Sequence, residues 1–180
     1  MLKSQGKQEK RMITAKTTKE EVMKLIEDNC KACGHCCSFG GCIVLNDEVK
    51  DLAEAFAISE EEFKDKYTIG FEKFNTKHLR MKSTPKGMHK GPCVFLKGNK
   101  CSIHEHKPLH CRISSCHSEF GEDIQKWFSL KYFVNKDDPE SIRQWNTFLK
   151  TNTPIKGGKT EELIPDKKKL GKILSYEVLK

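Results

Sequence analysis

The sequence has no long hydrophobic run. In 180 residues, no apolar stretch approaches the roughly 18 residues that a transmembrane helix needs. The positively charged segment 1–12 is not followed by the apolar core of a secretory signal. We therefore expect a cytoplasmic protein without membrane association. No P-loop, G-x-G-x-x-G or Ser-His-Asp pattern is present, so nucleotide-binding and hydrolase functions have no support.

Arginine is also scarce: the chain has 4 Arg against 29 Lys, at a net charge of +8. Proteins that recognise specific base sequences rely on the forked arginine side chain, so such recognition is disfavoured. Eight basic residues and no acidic ones lie between Lys73 and His104. The Lys73–Lys100 segment therefore fits a nucleic-acid surface, although a solvated lysine-rich loop is the simpler interpretation.

Cysteine is abundant, with nine residues in a chain that is only 36% hydrophobic. In a reducing compartment, clustered cysteines bind metal or carry out redox chemistry more often than they form structural disulfides. The first group has the spacing C-x2-C-x2-C-C and the second C-x7-C-x9-C-x4-C. The predicted metal ligands are Cys30, Cys33, Cys36, Cys37, Cys93, Cys101, Cys111 and Cys116. Cys42 is left open as a further ligand, an exchangeable thiol or a small buried residue.

The adjacent Cys36 and Cys37 bear on the number of centres. Neighbouring side chains are expected to diverge, which favours two metal centres with one of these cysteines on each. A single cluster with cysteines left over is the alternative. Three cysteines at C-x2-C-x2-C followed by a distant fourth are typical of a [4Fe–4S] cluster in bacterial ferredoxins. Zinc sites usually combine two separated cysteine pairs, so we favour iron–sulfur and keep zinc as the alternative.

The remaining pattern predicts a small, helix-dominated α+β domain with short β-hairpins, stabilised by metal centres. We expect a flexible arm over residues 1–16, the metal-binding domain over 17–150, and a linker with a C-terminal helix over 151–180. Helices are predicted after Thr18, Asn46, Ser59 and Pro139 and over residues 166–179; residues 122–133 fit helix or strand. A strand is predicted at residues 43–45, and a hairpin around Gly98-Asn99 with arms at residues 94–96 and 101–103. Residues 68–92 are predicted to be loop with a strand near Leu79–Met81.

Polar residues near the second cysteine group are further candidates. His104, His106, His110 and His117 either complete a coordination sphere or lie around it as supporting groups. Arg112 is predicted to bind the cofactor through its sulfurs or to hold an anionic substrate, with a structural ion pair as the alternative. Trp127 and Trp145 are expected in the hydrophobic core.

The cysteine spacing, together with CKACGHCC and GPCVFLKGNKCSIHEHKPLHCR, resembles the CxxCxxCC family, also called YkgJ-like cysteine-cluster proteins. The likeness covers about residues 30–116. It implies a zinc- or iron-chelating domain whose ligands correspond to Cys30, Cys33, Cys36, Cys37, Cys93, Cys101 and Cys111. Cys42 and Cys116 lie outside its firmest pattern, and His104 and Lys107 stand where the family usually has Tyr and Arg.

The function expected from these observations is metal binding with a redox or redox-supporting role. A similar cysteine-rich region occurs in flagellin lysine methylases, so the resemblance leaves an iron–sulfur oxidoreductase and a methyl-transfer accessory protein open. The alternatives are a zinc-stabilised module that binds nucleic acid or protein, and a metal carrier or sensor. The redox or enzyme partner is not specified by the sequence.

Overall fold

The computed structural model describes residues 12–26, 30–84, 91–114 and 120–177. The described helices are α1 (Lys19–Ile26), α2 (His35–Ser38), α3 (Glu48–Ala55), α4 (Glu60–Tyr67), α5 (Leu109–Ile113), α6 (Gly121–Tyr132), α7 (Pro139–Phe148), α8 (Thr160–Leu163) and α9 (Lys167–Leu174). The strands are β1 (Ile43–Val44), β2 (Thr68–Lys73), β3 (Thr76–Met81), β4 (Leu96–Lys97) and β5 (Lys100–Cys101). None of these helices has the length and apolarity to cross a membrane.

The main sheet has the order β1-β3-β2 and is antiparallel throughout. β2 and β3 form a hairpin whose turn residues, Phe74 and Asn75, have positive φ angles of 50° and 56°. Two successive positive φ values match the turn that continues the natural twist of a two-residue hairpin. The strand predicted near Leu79–Met81 is the end of β3. The prediction of loop for residues 68–78 was wrong, because the aromatic Phe74 at the turn concealed the hairpin.

The second hairpin pairs β4 with β5 across Gly98-Asn99 and confirms the prediction made for that turn. Gly98 has a φ of +57°, a conformation that glycine adopts without steric cost. Both strands differ from the predicted arms: Val94 and Phe95 lie before β4, and Ser102 and Ile103 lie after β5.

A helical core packs around two tryptophans. Trp127 on α6 and Trp145 on α7 are both 0% exposed, which confirms their predicted burial. Their indole N–H groups donate to the carbonyl oxygens of Thr17 at 2.8 Å and Gly158 at 2.9 Å. A buried indole therefore has its polar atom satisfied in both places.

The ends of the described chain join this core. Ile13 is 1% exposed, and the Ala15 amide donates to the Lys156 carbonyl at 2.9 Å. Ile155 and Ile173, from the C-terminal region, lie in the same cluster. Residues 12–16 and 151–177 thus pack against the central elements, while the rest of the predicted arm lies outside the described residues.

A second, smaller core lies on the cysteine side of the molecule. Phe63, Met81 and Phe95 are buried there, next to the partly buried Cys37 and Cys42. β1 separates the two cores: Ile43 belongs to the helical core and Val44 to the cysteine-side core. Successive strand residues point to opposite faces, so two residues of β1 are enough to join the cores. The helix-dominated α+β fold is confirmed.

The N-cap of α4 gives a test of local stability. The Ser59 hydroxyl accepts from the Glu62 amide at 3.1 Å, as the sequence predicts. Ser59→Ala removes that bond, so we expect the free energy of unfolding to fall by about 1 kcal/mol. Urea denaturation measures it. An unchanged midpoint at an unchanged slope would contradict the assigned cap.

Candidate metal centre

The two cysteine groups meet because the first loop approaches the β4–β5 hairpin closely. Gly34, with a φ of +72°, precedes α2. A Cβ atom there would lie 2.7 Å from the Asn99 carbonyl oxygen, so only glycine fits without displacing the hairpin turn. The Cys93 amide then donates to the Cys37 carbonyl at 2.7 Å. This backbone bond fixes the start of the second cysteine group against α2.

Five thiols at this junction contact one another in two groups, and the Cys93 thiol lies beside them. The sulfur atoms of Cys36 and Cys37 are 4.0 Å apart, and the Cys37 thiol also bonds that of Cys101. The thiols of Cys42 and Cys111 bond each other. A cavity of about 170 Å³ is lined by Cys36, Cys37, Cys42, Cys93 and Cys111, with Phe39, Gly40, Gly41, Arg80, His110 and Ser114. We call this the cysteine cavity.

The expectation that Cys36 and Cys37 diverge was wrong. Both lie in the single helical turn of α2, and their sulfurs are within contact distance. Adjacent helical residues differ in direction by about 100°, and these side chains turn their sulfur atoms toward each other across that angle. The adjacency of these two cysteines therefore does not by itself require two centres.

Hydrogen bonds between the thiols lower the pKa of some cysteines and raise that of others. Hydrogen bonding by the Cys37 thiol lowers the pKa of Cys36 and of Cys101 to about 6 each, and the charge of Lys107 favours the same direction. The pKa of Cys37 itself is raised by those hydrogen bonds. Because the thiolate is the form that binds metal, Cys36 and Cys101 are the thiols closest to ligand form.

The more enclosed thiols hold their protons more firmly. Burial raises the pKa of Cys93 to about 11. The hydrogen bond with Cys42, with burial, raises the pKa of Cys111. Thiolates at these positions need a nearby positive charge, which a metal ion supplies.

The other predicted ligands lie at the edge of this network or beyond the described residues. Cys30 is half-buried and Cys33 is exposed, and neither is among the residues that line the cysteine cavity. Both precede the Gly34 turn by a few residues, so they are on the loop that approaches the hairpin. Cys116 and His117 lie outside the described residues. The eight described cysteines are all free thiols.

Arg112 and the histidines occupy different places. Arg112 is exposed and faces a separate cavity of about 250 Å³, shared with Glu48, Asp51 and His106. His104 lies beside Cys101 and has a buried Nε2 without a hydrogen-bond partner in the described residues. Cofactor binding by Arg112 stays a prediction.

His110 separates the cysteine cavity from a neighbouring cavity. Its Nδ1 accepts from the Ile43 amide at 3.3 Å, and its ring bonds Gln125. Burial, then the charges of Lys73 and Arg80, lower the pKa of His110 to about 4. The imidazole is therefore neutral at neutral pH, with one nitrogen already used by the backbone.

Sequence reasoning missed the role of Arg80 and left Cys42 open. Arg80 lines the cysteine cavity and donates from Nε to the Gly41 carbonyl at 2.9 Å. Its pairing with Ile43 across β1 and β3 brings it there, and no local motif signals that register. The sequence feature that pointed to Cys42 was its position between the Cys36-Cys37 pair and the strand predicted at residues 43–45.

The donor set fits the soft metals that thiolates prefer. The six cysteines at this junction offer only sulfur, which suits zinc, copper(I) and iron–sulfur centres. Among the described residues, no group of three or more His, Cys, Asp or Glu side chains is arranged to hold an ion as it stands. The thiols contact one another instead, at separations that small side-chain rotations change.

Comparison with known proteins agrees with this chemistry. The family model CxxCxxCC, "Putative zinc- or iron-chelating domain", matches residues 29–144. No curated protein and no solved structure matches the chain. The matched region includes both cysteine groups, the main sheet, and α3 to α6. The chain therefore belongs to the CxxCxxCC family of zinc- or iron-chelating cysteine-cluster domains.

Proposed function

We propose that the cysteine cavity holds an iron–sulfur cluster of the [4Fe–4S] type and that the protein has a redox or redox-supporting role. The observation that carries this proposal is the cavity itself. Its volume of about 170 Å³ is several times the roughly 30 Å³ that one water molecule takes. A single ion bonded directly to four sulfurs needs no such space, whereas a multi-atom cluster does.

The number of thiols supports the same assignment. Six cysteines lie at this junction, and a structural zinc ion takes four ligands. A cluster with four ligands leaves two of the six thiols free to donate hydrogen bonds to its sulfur atoms. Such hydrogen bonds help to set the reduction potential of the cluster. Within this proposal, Cys36, Cys37, Cys93, Cys101 and Cys111 are the ligand candidates from the described network.

The charges near the thiols also suit an anionic centre. Four thiolates on a [4Fe–4S]²⁺ core carry a net charge of −2. Lys107 lowers the pKa of Cys36 and Cys101, and Arg80 lines the same cavity. These cations stabilise the bound thiolate form and, by the same attraction, favour a reduced cluster.

A single zinc ion is the second candidate, and one distance favours it. Two sulfurs bound to one tetrahedral zinc, with Zn–S bonds of about 2.3 Å, lie about 3.8 Å apart. The 4.0 Å between Cys36 and Cys37 is close to that value. Under this alternative the metal stabilises the junction of the two cysteine groups and has no redox role.

Metal analysis of the full chain, purified without oxygen, distinguishes an iron–sulfur cluster from a zinc ion. We expect roughly four iron and four sulfide per chain, and a broad visible absorption that bleaches with dithionite. One or two zinc ions per chain, without sulfide and without colour after reconstitution with iron and sulfide, would replace the iron–sulfur proposal with the zinc alternative.

A further inference from the structure

A second cavity lies next to the cysteine cavity and shares three residues with it, Gly41, Arg80 and His110. Its volume is about 250 Å³. We call it the cationic cavity; it is lined by Gly41, Ile43, Phe71, Lys73, Arg80, His110, Gln125, Phe128, Ser129 and Phe133. β2 and β3 supply its cations and α6 most of its opposite wall. No acidic residue is among the residues that line it.

The two cations in this cavity have polar contacts but no negative partner among the residues that the structure describes. The Lys73 ammonium donates to the Ser129 hydroxyl at 3.1 Å and lies 5.9 Å from the ring centre of Phe133. The Arg80 guanidinium uses Nε for the Gly41 carbonyl. Neither residue forms a salt bridge within the described ranges. Placing two positive charges in a confined, partly aromatic space is unfavourable unless a negative group joins them.

The surroundings of Lys73 agree with an excess of positive charge in the cationic cavity. Burial lowers the pKa of the Lys73 ammonium, with no carboxylate acting against it. Glu122, which lines the adjoining outer cavity, pairs with Lys126 at 3.3 Å. A bound anion would supply the missing charge and restore the ordinary preference of this lysine for its charged form.

A path to solvent reaches the cationic cavity. A more open cavity of about 460 Å³ shares Lys73, Gln125 and Ser129 with it and is otherwise lined by Gly121, Glu122, Lys126, Phe148 and Asn152. Lys73 thus lies at the boundary between an outer vestibule and the inner space. A ligand that enters from solvent meets this lysine first and then Arg80, beside the thiols.

We propose that the cationic cavity binds a small organic anion, with its carboxylate or phosphate group held by Lys73 and Arg80 and its apolar body against Phe71, Phe128 and Phe133. The volume is below the roughly 300–1,000 Å³ of clefts that bind drug-sized molecules, so the ligand is a compact metabolite. The shared residues Arg80 and His110 place it next to the cysteine cavity. The proposal holds whether the thiols bind a cluster or a zinc ion.

Binding of simple probes to the full metal-loaded chain tests this site. We titrate benzoate, phenyl phosphate and neutral benzamide by calorimetry at low and at high salt. We expect saturable binding of benzoate, of phenyl phosphate, or of both, at least about ten-fold tighter than that of benzamide and weaker at high salt. The tighter of the two anions identifies the anionic group that the natural ligand carries.

Matched variants locate the binding. Lys73→Met keeps the length of the side chain and its apolar contacts, and we expect it to weaken anion binding at least about ten-fold. Lys77→Met removes an exposed lysine from the adjacent strand β3 and should leave binding unchanged. If Lys73→Met does not fold, Arg80→Gln serves in its place, because its amide retains a donor for the Gly41 carbonyl.

The absence of saturable anion binding up to about 10 mM would overturn the anion site, and so would equal affinities for benzoate, phenyl phosphate and benzamide. A folded Lys73→Met variant with wild-type affinity would do so as well. Iron, zinc and sulfide are measured on the same samples. A metal result against the iron–sulfur cluster, with anion binding intact, contradicts only the proposed function.

Discussion

Replacing Cys37 by serine is expected to lower the iron and sulfide content per chain at least about ten-fold. Cys37 is the centre of the thiol network, because its sulfur contacts those of both Cys36 and Cys101. Serine has nearly the same shape but is a hard oxygen donor that neither iron–sulfur clusters nor zinc prefer. The Cys37 carbonyl still accepts from the Cys93 amide, so the junction can fold. Elemental analysis and visible absorption measure the loss.

The neighbouring Ser38 provides the control for this variant. Ser38→Ala changes the same turn of α2 and removes a bond from its hydroxyl to the Gly34 carbonyl, but no thiol. We expect its metal content to equal that of the unmodified protein. A folded Cys37→Ser protein with normal iron and sulfide would show that Cys37 is not a ligand and would move the centre toward the other cysteines.

Replacing Gly41 by alanine is expected to lower the free energy of unfolding by about 3 kcal/mol or more. A Cβ atom at this position would lie 1.9 Å from the carbonyl oxygen of Met81 and 2.5 Å from its carbonyl carbon. These are backbone atoms at the end of β3, the central strand, where Met81 pairs with Thr68 of β2 and its amide donates to the Cys42 carbonyl. The strain displaces either β3 or the loop between α2 and β1. Urea denaturation gives the change in stability.

The same substitution on a strand of the sheet, at a site with space, serves as the control. Gly70→Ala on β2 places its Cβ with no atom within 4 Å, so its stability should stay within about 0.5 kcal/mol of the unmodified protein. Because Gly41 lines both the cysteine cavity and the cationic cavity, Gly41→Ala should also lose metal. Equal stability of the two variants would contradict the close packing of the loop against β3.

Features encoded over a few residues could be predicted from the sequence. The capping box of Thr18 and Glu21 forms in both directions, at 3.1 Å and 2.7 Å, because both groups lie within one turn. Pro139 begins α7 after an Asp138 cap, as the pattern predicts. The cysteine spacing likewise indicated a thiol-rich metal site, since a short loop determines how close its own cysteines come.

Features that depend on distant partners could not be predicted in the same way. Arg80 enters the cysteine cavity because β3 pairs with β1 in one particular register, and Lys73 meets Ser129 only when α6 packs on the sheet. Asn46 was expected to cap α3, yet the helix begins one residue later, after Asp47. Asp47 makes no side-chain cap bond, whereas Glu48, the first helical residue, accepts from the amides of Leu45 and of the distant Leu109.

The hydrogen bond between Cys93 and Cys37 also affects how the protein is made. These residues are separated by 56 positions, so the first cysteine group leaves the ribosome well before its partners exist. At about 5–20 residues per second, the interval is about 3–11 s. During that time α2 and its thiols have no β4–β5 hairpin to pack against, because α3, α4 and the β2–β3 hairpin lie between the two cysteine groups in the sequence. A nascent chain with only the first group therefore lacks the thiols of Cys93, Cys101 and Cys111.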